Sequence, residues 1–319
     1  MVPSVSVVIP LYNKGPHIAR ALNSVLAQTF QDFEVIVVDD GSTDDGAEVV
    51  RGFDDPRIRL IQQENRGVSA ARNRGIEAAR AELVAFLDAD DEWLLKHLES
   101  IKGLSKRYPG AGAYTTAYMF CKKDGKIRKP KYKAIPPKPW EGILPRYFKS
   151  NALGDHPVCS SSVVIPKRIF DAIGNFRTGM WYGEDEEMWG RIALKYPIIF
   201  SWDTGAIYHQ DATNRACKRD TPPPKTPFVA MAQKLIRSCS ISGEMQADLK
   251  EYIAKEELER ATWYALRGRT QEATEILTTC HTKQLLWKKY RVTIMAKIPT
   301  PIFQRIVIAK RKIDNFGFI

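Results

Sequence analysis

The chain has 319 residues, with 48 Lys or Arg against 37 Asp or Glu, which gives a formal net charge of +11 at pH 7. This length suits one large α/β domain with an appendage, and the charge suggests an anionic partner such as a nucleotide, a nucleic acid or an anionic lipid. We expect no signal peptide and no membrane-spanning helix, because the sequence has neither a basic leader before a long apolar stretch nor a run of about 18 apolar residues. The five cysteines form no CxxC pair, which disfavours a zinc site or a disulfide scaffold and favours reduced thiols in the cytosol.

Strand and helix patterns alternate through the first half of the chain. Short runs rich in Val and Ile predict four buried strands: SVSVVIP from residue 4, EVIVV from residue 34, RIRLIQ from residue 57 and LVAFL from residue 83. Between them, apolar residues recur at helical spacing. Alternation of this kind predicts a mostly parallel sheet flanked by helices, in an α/β domain that we place at residues 1–220.

Polar residues follow three of these strands, as PLYN (10–13), DDG (39–41) and DADD (88–91). Ligands of parallel sheets bind beyond the carboxyl ends of the strands, so we expect a ligand edge rich in carboxylates. No GxGxxG follows the first strand and no GxxxxGK[ST] occurs, so the dinucleotide and phosphate-loop fingerprints are absent.

The DADD cluster directly follows a hydrophobic strand. Carboxylates this close repel one another unless a cation or solvent separates them. Hard oxygen ligands suit Mg²⁺ or Mn²⁺, which typically bridge carboxylates to a diphosphate. The alternative is an acidic turn before the next helix, where Asp91 and Glu92 would be favourable at the helix N-terminus.

Two further segments carry candidate binding residues. Asp40 can accept hydrogen bonds from a base or a ribose hydroxyl, while Ser42 is a candidate N-cap for the next helix. Arg66, Arg72 and Arg74 lie in NRGVSAARNRG, and an arginine where a helix begins is a reasonable clamp for a diphosphate. A solvated helix face would carry the same arginines.

Six sequence blocks together resemble the family 2 glycosyltransferases of the GT-A fold. In order they are VSVVIPLYNK, EVIVVDDGSTDDG, NRGVSAARNRGI, LVAFLDADDEW, CSSSVVIPKRIFDAIGNF and GEDEEMWGRIA, which span roughly residues 4–195. The resemblance implies a nucleotide-sugar donor, with a UDP-sugar as the default, and a divalent metal at the aspartate motif. It also implies transfer with inversion at the anomeric carbon to a hydroxyl of a glycan or lipid-linked acceptor.

The resemblance assigns donor and metal roles to individual residues. The donor-binding positions are Pro10, Tyr12, Asp40, Asn65, Arg72 and Asp88. Asp88 and Asp90 match the outer residues of the metal motif; Asp90 is the expected direct ligand, with Asp91 as an alternative. His209 matches a histidine that can contact metal or diphosphate, but its spacing from Tyr208 is tighter than in the family pattern, and Asp211 is an alternative.

Asp185 matches the catalytic base of the family. An acceptor hydroxyl is a poor nucleophile until a carboxylate takes its proton as attack proceeds. The neighbouring Glu186 and Glu187 are assigned instead to favourable interaction with a helix N-terminus. The candidate acceptor residues are Glu184, Trp181 and His156, and a structural role in a loop stays open for the histidine.

The rest of the chain has three distinctive segments. TPPPKTP (221–227) predicts a linker before helices at 228–280, which include a hairpin with Gly268 at its turn. Residues 281–319 mix Leu, Ile, Trp and Phe with nine Lys or Arg and one Asp. They predict a basic amphipathic segment at an anionic membrane surface, or else a terminal helix pair docked on the protein. Residues 122–149 form a basic, Pro-rich excursion, either a flexible loop over the active site or a solvated charge run.

The leading hypothesis is an inverting, metal-dependent glycosyltransferase in the cytoplasm, peripheral on the cytosolic face of the membrane. The alternatives are a metal-dependent nucleotidyltransferase, or a non-catalytic basic binding protein on a lapsed transferase fold. The segments 122–149 and 281–319 each carry a net charge of +8, which leaves −5 for the rest of the chain. This distribution disfavours a nucleic-acid partner and favours an anionic membrane surface or a phosphate-bearing acceptor.

Overall fold

A computed structural model describes residues 2–212 and 220–298, and all structural statements below concern these residues. The chain divides into two compact units, Met1–Arg219 and Asp220–Ile319.

The first unit contains a ten-stranded mixed sheet with helices packed against it. Its strands are β1 (Val5–Leu11), β2 (Phe33–Asp39), β3 (Ile58–Gln62), β4 (Leu83–Phe86), β5 (Glu92–Trp93), β6 (Ala113–Cys121), β7 (Ile127–Arg128), β8 (Glu141–Ile143), β9 (Val163–Pro166) and β10 (Ile198–His209). Its helices are α1 (Gly15–Leu26), α2 (Gly46–Arg51), α3 (Val68–Ala78), α4 (His97–Arg107), α5 (Tyr147–Leu153), α6 (Lys167–Ile173) and α7 (Glu184–Lys195), with a short 3₁₀ turn at Ser160–Ser162.

The sheet has the strand order β3-β2-β1-β4-β9-β6-β10-β5. The first four strands in this order run parallel, as do β6 and β10, whereas β9 is antiparallel to both of its neighbours. Leu11 pairs with Asp39, so β1 and β2 end side by side. The polar residues that follow β1, β2 and β4 therefore meet at one edge.

The parallel strands at the centre of the sheet are buried along their whole length. Every residue of β1, β2 and β4 is buried, which explains why these strands appear in the sequence as nearly continuous apolar runs. Helix α3 lies close against β1 because it carries Gly75, where an added Cβ would lie 2.2 Å from Val8 Cγ1. The four predicted strands and the helices between them are confirmed.

Ser42 does not cap a helix, so the prediction of an N-cap there is wrong. Helix α2 begins only at Gly46, and Ser42 Oγ instead accepts a hydrogen bond of 3.0 Å from the backbone N–H of Asn13. Thr43 N–H donates to Asn13 Oδ1 at 2.7 Å. These bonds tie the β1–α1 loop to the β2–α2 loop.

The basic excursion at residues 122–149 packs on the sheet. Its strands β7 and β8 pair with β6 and β10. The ring of Tyr132 makes edge contacts with Phe200 and Trp202, with centroids 5.4 Å apart in each case. None of these residues lines the cleft described below, so the segment is not a loop over that cleft.

The second unit is helical over its described residues. It contains α8 (Pro227–Ser238), α9 (Gly243–Leu266), α10 (Thr270–Thr279) and α11 (Leu286–Lys297). Ser242 Oγ caps α9 by accepting from Met245 N–H at 3.2 Å. Gly268 adopts a φ of +72° between α9 and α10, which confirms the predicted hairpin. Among the described residues, no helix combines the length and apolar character needed to cross a bilayer.

Candidate active site

A cleft of about 1030 Å³ opens where β1, β2 and β4 end, next to the start of α7. Its lining includes three cationic side chains, Lys14, Arg66 and Arg72. It also includes six carboxylates, Asp40, Asp88, Asp90, Glu184, Asp185 and Glu186. The cleft therefore has excess negative charge, as expected from the sequence.

Arg72 joins the aspartate motif to the start of α7. Its side chain is only 3% exposed and donates to Asp88 Oδ1 and Glu184 Oε1, both at 2.9 Å. Burial lowers the pKa of the Arg72 guanidinium, but Asp88, Glu184 and Asp185 outweigh this and raise the pKa above its ordinary value. Arg72 is therefore a permanent cation on this wall of the cleft.

The carboxylates beside Arg72 bind protons more tightly than usual. Burial, together with repulsion from Asp90, raises the pKa of Asp88 despite the nearby arginine. Burial and the charge of Asp185 raise the pKa of Glu184 to about 7, although Arg72 opposes the shift. This wall is thus short of positive charge.

Asp90 contacts a lysine across the cleft. Lys14 Nζ lies 2.6 Å from Asp90 Oδ2, and the two side chains are 13% and 15% exposed. The backbone carbonyl of Asp90 accepts from Arg20, which is also ion-paired with Asp211 at 3.1 Å. Asp211, the alternative to His209, is thus engaged by α1.

Asp91 faces the interior of the protein. It is 1% exposed and accepts hydrogen bonds from Ser161 Oγ and, at 2.8 Å, from His209 N–H. Burial and repulsion from Asp90 and Asp88 raise its pKa well above the ordinary value. Asp91 is not among the residues that line the cleft.

The ring of His209 also lies outside the cleft lining. Its Nε2 is 3.0 Å from Glu92 Oε1, and its side chain is 10% exposed. The structure therefore brings Asp88 and Asp90 to the cleft, while Asp91 and His209 lie behind them.

The predicted donor-binding residues gather at the β1 side of the cleft, where Pro10, Tyr12, Asp40 and Asn65 all contribute to the lining. Tyr12 is 44% exposed, so its side chain is accessible to a ligand. Asp40 is buried, and it accepts hydrogen bonds from Gln63 Nε2 at 2.7 Å and from the N–H groups of Arg66 and Gly67 at 2.9 and 2.8 Å.

These bonds let Asp40 fix the loop that leads into α3. Gly67 adopts a φ of +87° there, a conformation that a side chain would strain.

Asp185 lies in the first turn of α7 and lines the cleft together with Trp181 and Glu184. Its Oδ2 accepts from Ser160 Oγ at 3.2 Å, and its Oδ1 accepts from Glu186 N–H at 2.8 Å. The structure thus brings the candidate base into the same cleft as Asp88 and Asp90.

His156, the remaining acceptor candidate, is absent from the cleft lining, and its Nδ1 lies 3.2 Å from Glu186 Oε1.

Sequence reasoning assigned no role to Lys14, Ser160 or Ser161. Lys14 ends the first sequence block, and the two serines lie near the start of the CSSSVV block. Their contacts to Asp90, Asp185 and Asp91 join residues 25 to 76 positions apart. Local spacing carries no signal for such contacts.

The oxygen donors at the cleft suit a divalent metal that is shared with a ligand. No group of three or more His, Cys, Asp or Glu converges on a metal position among the described residues. Mg²⁺ is commonly held by one or two carboxylates together with water and substrate phosphates. Asp88 and Asp90 provide two such carboxylates on a wall where carboxylates outnumber cations, so the donor set fits Mg²⁺ or Mn²⁺ bound with a diphosphate.

The fold is that of GT-A glycosyltransferases. The crystal structure of S. aureus TarS 1–349 in complex with UDP-GlcNAc aligns with a TM-score of 0.67 over 92% of this chain and 89% of that chain, at 17% sequence identity. At this identity the likeness supports the fold alone. The sequence model of Glycosyl transferase family 2 matches residues 6–174, more than half of the chain. The chain therefore belongs to glycosyl transferase family 2.

Individual relatives are similar mainly over short regions. "Uncharacterized glycosyltransferase YibD" of Escherichia coli is 47% identical over 89 residues, 27% of this chain and 26% of that protein. "Uncharacterized glycosyltransferase EpsJ" of Bacillus subtilis is 45% identical over 93 residues, 28% of this chain and 27% of that protein. Matches to these two thus span about a quarter of their length. "Glycosyltransferase GlyG" of Streptococcus pneumoniae is 28% identical over 217 residues, 65% of this chain and 70% of that protein.

Proposed function

We propose that this protein is an inverting, metal-dependent glycosyltransferase. It moves a sugar from a nucleotide diphosphate donor, by default a UDP-sugar, to a hydroxyl of a glycan or lipid-linked acceptor. The proposal rests on one observation. The same cleft, at the carboxyl ends of the strands, is lined by Asp88, Asp90, Arg72 and Asp185.

The donor would bind with its nucleotide on the β1 side of the cleft. Pro10 and Asn65 line this side, and the exposed ring of Tyr12 offers a stacking surface for a base. Asp40 orders the loop that carries Asn65 and Arg66, in addition to any contact of its own with the base or ribose. The structure of TarS, which has a similar fold, contains UDP-GlcNAc, and this supports a nucleotide-sugar as the donor class.

The diphosphate would lie against the aspartate motif and Arg72. Asp88 and Asp90 would hold the metal, which offsets the charge that develops on the leaving diphosphate. Arg72 supplies a fixed cation on the same wall, and its bonds to Asp88 and Glu184 hold it in place. Asp91 supports this motif from behind through Ser161 and His209 N–H.

Asp185 would act as the general base. The acceptor hydroxyl gives its proton to Asp185 while its oxygen bonds to the anomeric carbon, and the bond from that carbon to the diphosphate oxygen breaks on the opposite face. This single displacement inverts the anomeric centre. Ser160 and Glu186 N–H orient the carboxylate, while Glu184 and Trp181 line the cleft beside it as acceptor contacts.

A panel of UDP-, GDP- and TDP-sugars, each with Mn²⁺ or with EDTA, tests this proposal. A donor present at a hundred times its dissociation constant stabilises the folded protein by about 2.7 kcal/mol, which thermal shift detects. We expect one donor to raise the melting temperature with Mn²⁺ and to release its nucleoside diphosphate in the presence of an acceptor. Release of pyrophosphate from a nucleoside triphosphate would favour a nucleotidyltransferase, and binding of no nucleotide would favour a non-catalytic protein.

We also propose that the protein works at the cytosolic face of a membrane, with the second unit touching an anionic surface. Helix α11 has two distinct faces. Val292 and Ala296 are buried, whereas Trp287 is 74%, Leu286 61% and Tyr290 56% exposed.

Three features of α11 favour an anionic bilayer over a protein partner. The rings of Trp287 and Tyr290 stack with centroids 5.5 Å apart, and indole and phenol rings suit the lipid headgroup region. Arg291 and Lys297 belong to the same helix, and residues 281–298 contain no Asp or Glu. Residues 299–319, the rest of the predicted amphipathic segment, lie outside the described residues.

Co-sedimentation with vesicles tests the membrane contact. We expect the full chain to bind vesicles that contain anionic phospholipid, and the double variant Trp287→Ser/Tyr290→Ser to bind about tenfold more weakly, because it loses two interfacial rings. The variant Ile127→Ser/Ile143→Ser removes two comparably exposed apolar side chains from the first unit and serves as the matched control. Equal binding by both variants would contradict the assignment of α11 as the contact.

A further inference from the structure

Lys14 places an ammonium group at the residue expected to bind the metal. Its Nζ lies 2.6 Å from Asp90 Oδ2, and both side chains are mostly shielded from solvent. An ammonium and a divalent cation on the same carboxylate repel one another, so the ammonium of Lys14 weakens the binding of a metal to Asp90. The contact therefore bears directly on how the proposed glycosyltransferase takes up its metal and donor.

The backbone of Lys14 is fixed by its neighbours. His17 N–H and Ile18 N–H both donate to the Lys14 carbonyl at 2.9 Å, which anchors the residue at the start of α1. Gly15 N–H donates to Asp44 Oδ2 at 2.8 Å. Only the flexible four-carbon stem of Lys14 can therefore move its charge.

Arg72 is held quite differently. Its planar guanidinium bridges Asp88 and Glu184 and is 3% exposed. Lys14, by contrast, makes its ion pair with the single carboxylate of Asp90 and is 13% exposed. Of these two cations at the aspartate motif, one is clamped between two carboxylates and the other can be released by breaking one contact.

We propose that Lys14 is an exchangeable cation, which neutralises Asp90 in the empty cleft and passes to the donor diphosphate when Asp90 binds the metal. This inference rests on the proposed function, since it assigns a second task to a residue of the same cleft. After release from Asp90, the ammonium stays near the N-terminus of α1, where the Lys14 backbone is held. From there it contacts a phosphate oxygen as a point charge. Lys14 thereby limits metal binding before the donor arrives and strengthens diphosphate binding afterwards.

Binding of Mn²⁺ alone tests the first half of the exchange. We expect Lys14→Met to bind Mn²⁺ about tenfold more tightly than the wild type, as measured by electron paramagnetic resonance without nucleotide, because the competing ammonium is gone. Arg66→Met is the matched control, since it removes one positive charge from the same cleft lining. An equal gain in both variants would mean a general field effect and would overturn exchange at Asp90.

Binding of UDP at saturating Mn²⁺ tests the second half, because the ammonium leaves Asp90 only when the metal binds there. We expect Lys14→Met to bind UDP about tenfold more weakly than the wild type by calorimetry, and Lys14→Arg to recover most of the loss, because the phosphate contact needs a cation.

The outcomes separate this inference from the proposed function. Unchanged Mn²⁺ and UDP affinities in Lys14→Met would overturn the role of Lys14 while leaving a donor-binding enzyme. Failure of wild-type protein to bind UDP under any condition would overturn the proposed function, and failure to bind Mn²⁺ would overturn the exchange.

Discussion

Adjacent carboxylates on one sheet edge face opposite directions. Asp88 and Asp90 line the cleft, whereas Asp91 is 1% exposed and holds Ser161 and the backbone of His209. Asp90 and Asp91 are neighbours in the chain, yet the Asp90 carboxylate can contact a ligand whereas the Asp91 carboxylate stabilises the turn. An acidic motif is therefore partly a binding site and partly its own support.

The first turn of α7 repeats this division. Glu187 is fully buried and paired with Arg191 at 2.8 Å and with Arg177 at 2.7 Å, whereas Asp185 lines the cleft and accepts from Ser160 and Glu186 N–H. Glu187 is therefore committed to ion pairs with two arginines, whereas Asp185 is accessible to a ligand in the cleft. The contrast between cleft-facing and interior carboxylates can be tested by substitution.

The largest expected effect is at the base. We expect Asp185→Asn to lower kcat about 10³-fold, the middle of the range for loss of a general base, with donor affinity and melting temperature little changed. Steady-state transfer kinetics and calorimetry with the nucleoside diphosphate measure these quantities. Glu186→Gln, one position along the same helical turn, is the control, and near-normal turnover by Asp185→Asn would exclude Asp185 as the base.

Substitutions in the aspartate motif should separate an effect on ligand binding from an effect on stability. We expect Asp91→Ala to lower the free energy of unfolding by about 1–3 kcal/mol, because Ser161 Oγ and His209 N–H lose their buried acceptor. Asp90→Asn should lower the free energy of unfolding less, because the asparagine Oδ1 can still accept from Lys14 Nζ and neither side chain is fully buried.

Thermal shift with and without Mn²⁺ and UDP compares the two variants. The stabilisation by ligand should disappear in Asp90→Asn and persist in Asp91→Ala. The reverse pattern would show that Asp91 is the ligand residue and that the burial of its carboxylate is not retained when the donor binds.

Most of the sheet could be predicted from the sequence because its central strands are buried on both faces. That environment demands unbroken apolar runs, so β1, β2 and β4 stand out at Val5–Leu11, Phe33–Asp39 and Leu83–Phe86. The helical hairpin around Gly268 could be predicted for a similar local reason, a glycine with positive φ. The prediction of an N-cap at Ser42 was wrong because the Ser42 hydroxyl accepts a hydrogen bond from the backbone N–H of Asn13, 29 positions away in the chain.

The sequence predicted which segments of the chain contribute residues to the site, but not which side chains contact one another there. The sequence blocks supplied Asp40, Arg72, Asp88 and Asp90, and the structure brings all four to one cleft. Which acid of the DADD cluster faces inward depends on residues far along the chain, such as Ser161. Spacing within a motif cannot reveal such partners.

One cleft carboxylate, Glu184, should make the stability of the fold depend on pH. Burial and Asp185 raise the pKa of Glu184 from 4.5 to about 7, so the folded state holds this proton more tightly than the unfolded state. Glu184 therefore stabilises the fold fully below about pH 4.5 and loses this contribution as the pH rises through about 7.

Replacement of Glu184 by Gln removes that dependence while keeping an oxygen for Arg72. The free energy of unfolding of wild type relative to Glu184→Gln should therefore fall between pH 5 and pH 8, by at most about 3 kcal/mol for a shift of this size. Urea denaturation across this range measures the difference, with Glu77→Gln as an exposed control. A parallel pH dependence in wild type and Glu184→Gln would mean that Glu184 is ionised throughout, and that Arg72 outweighs its burial.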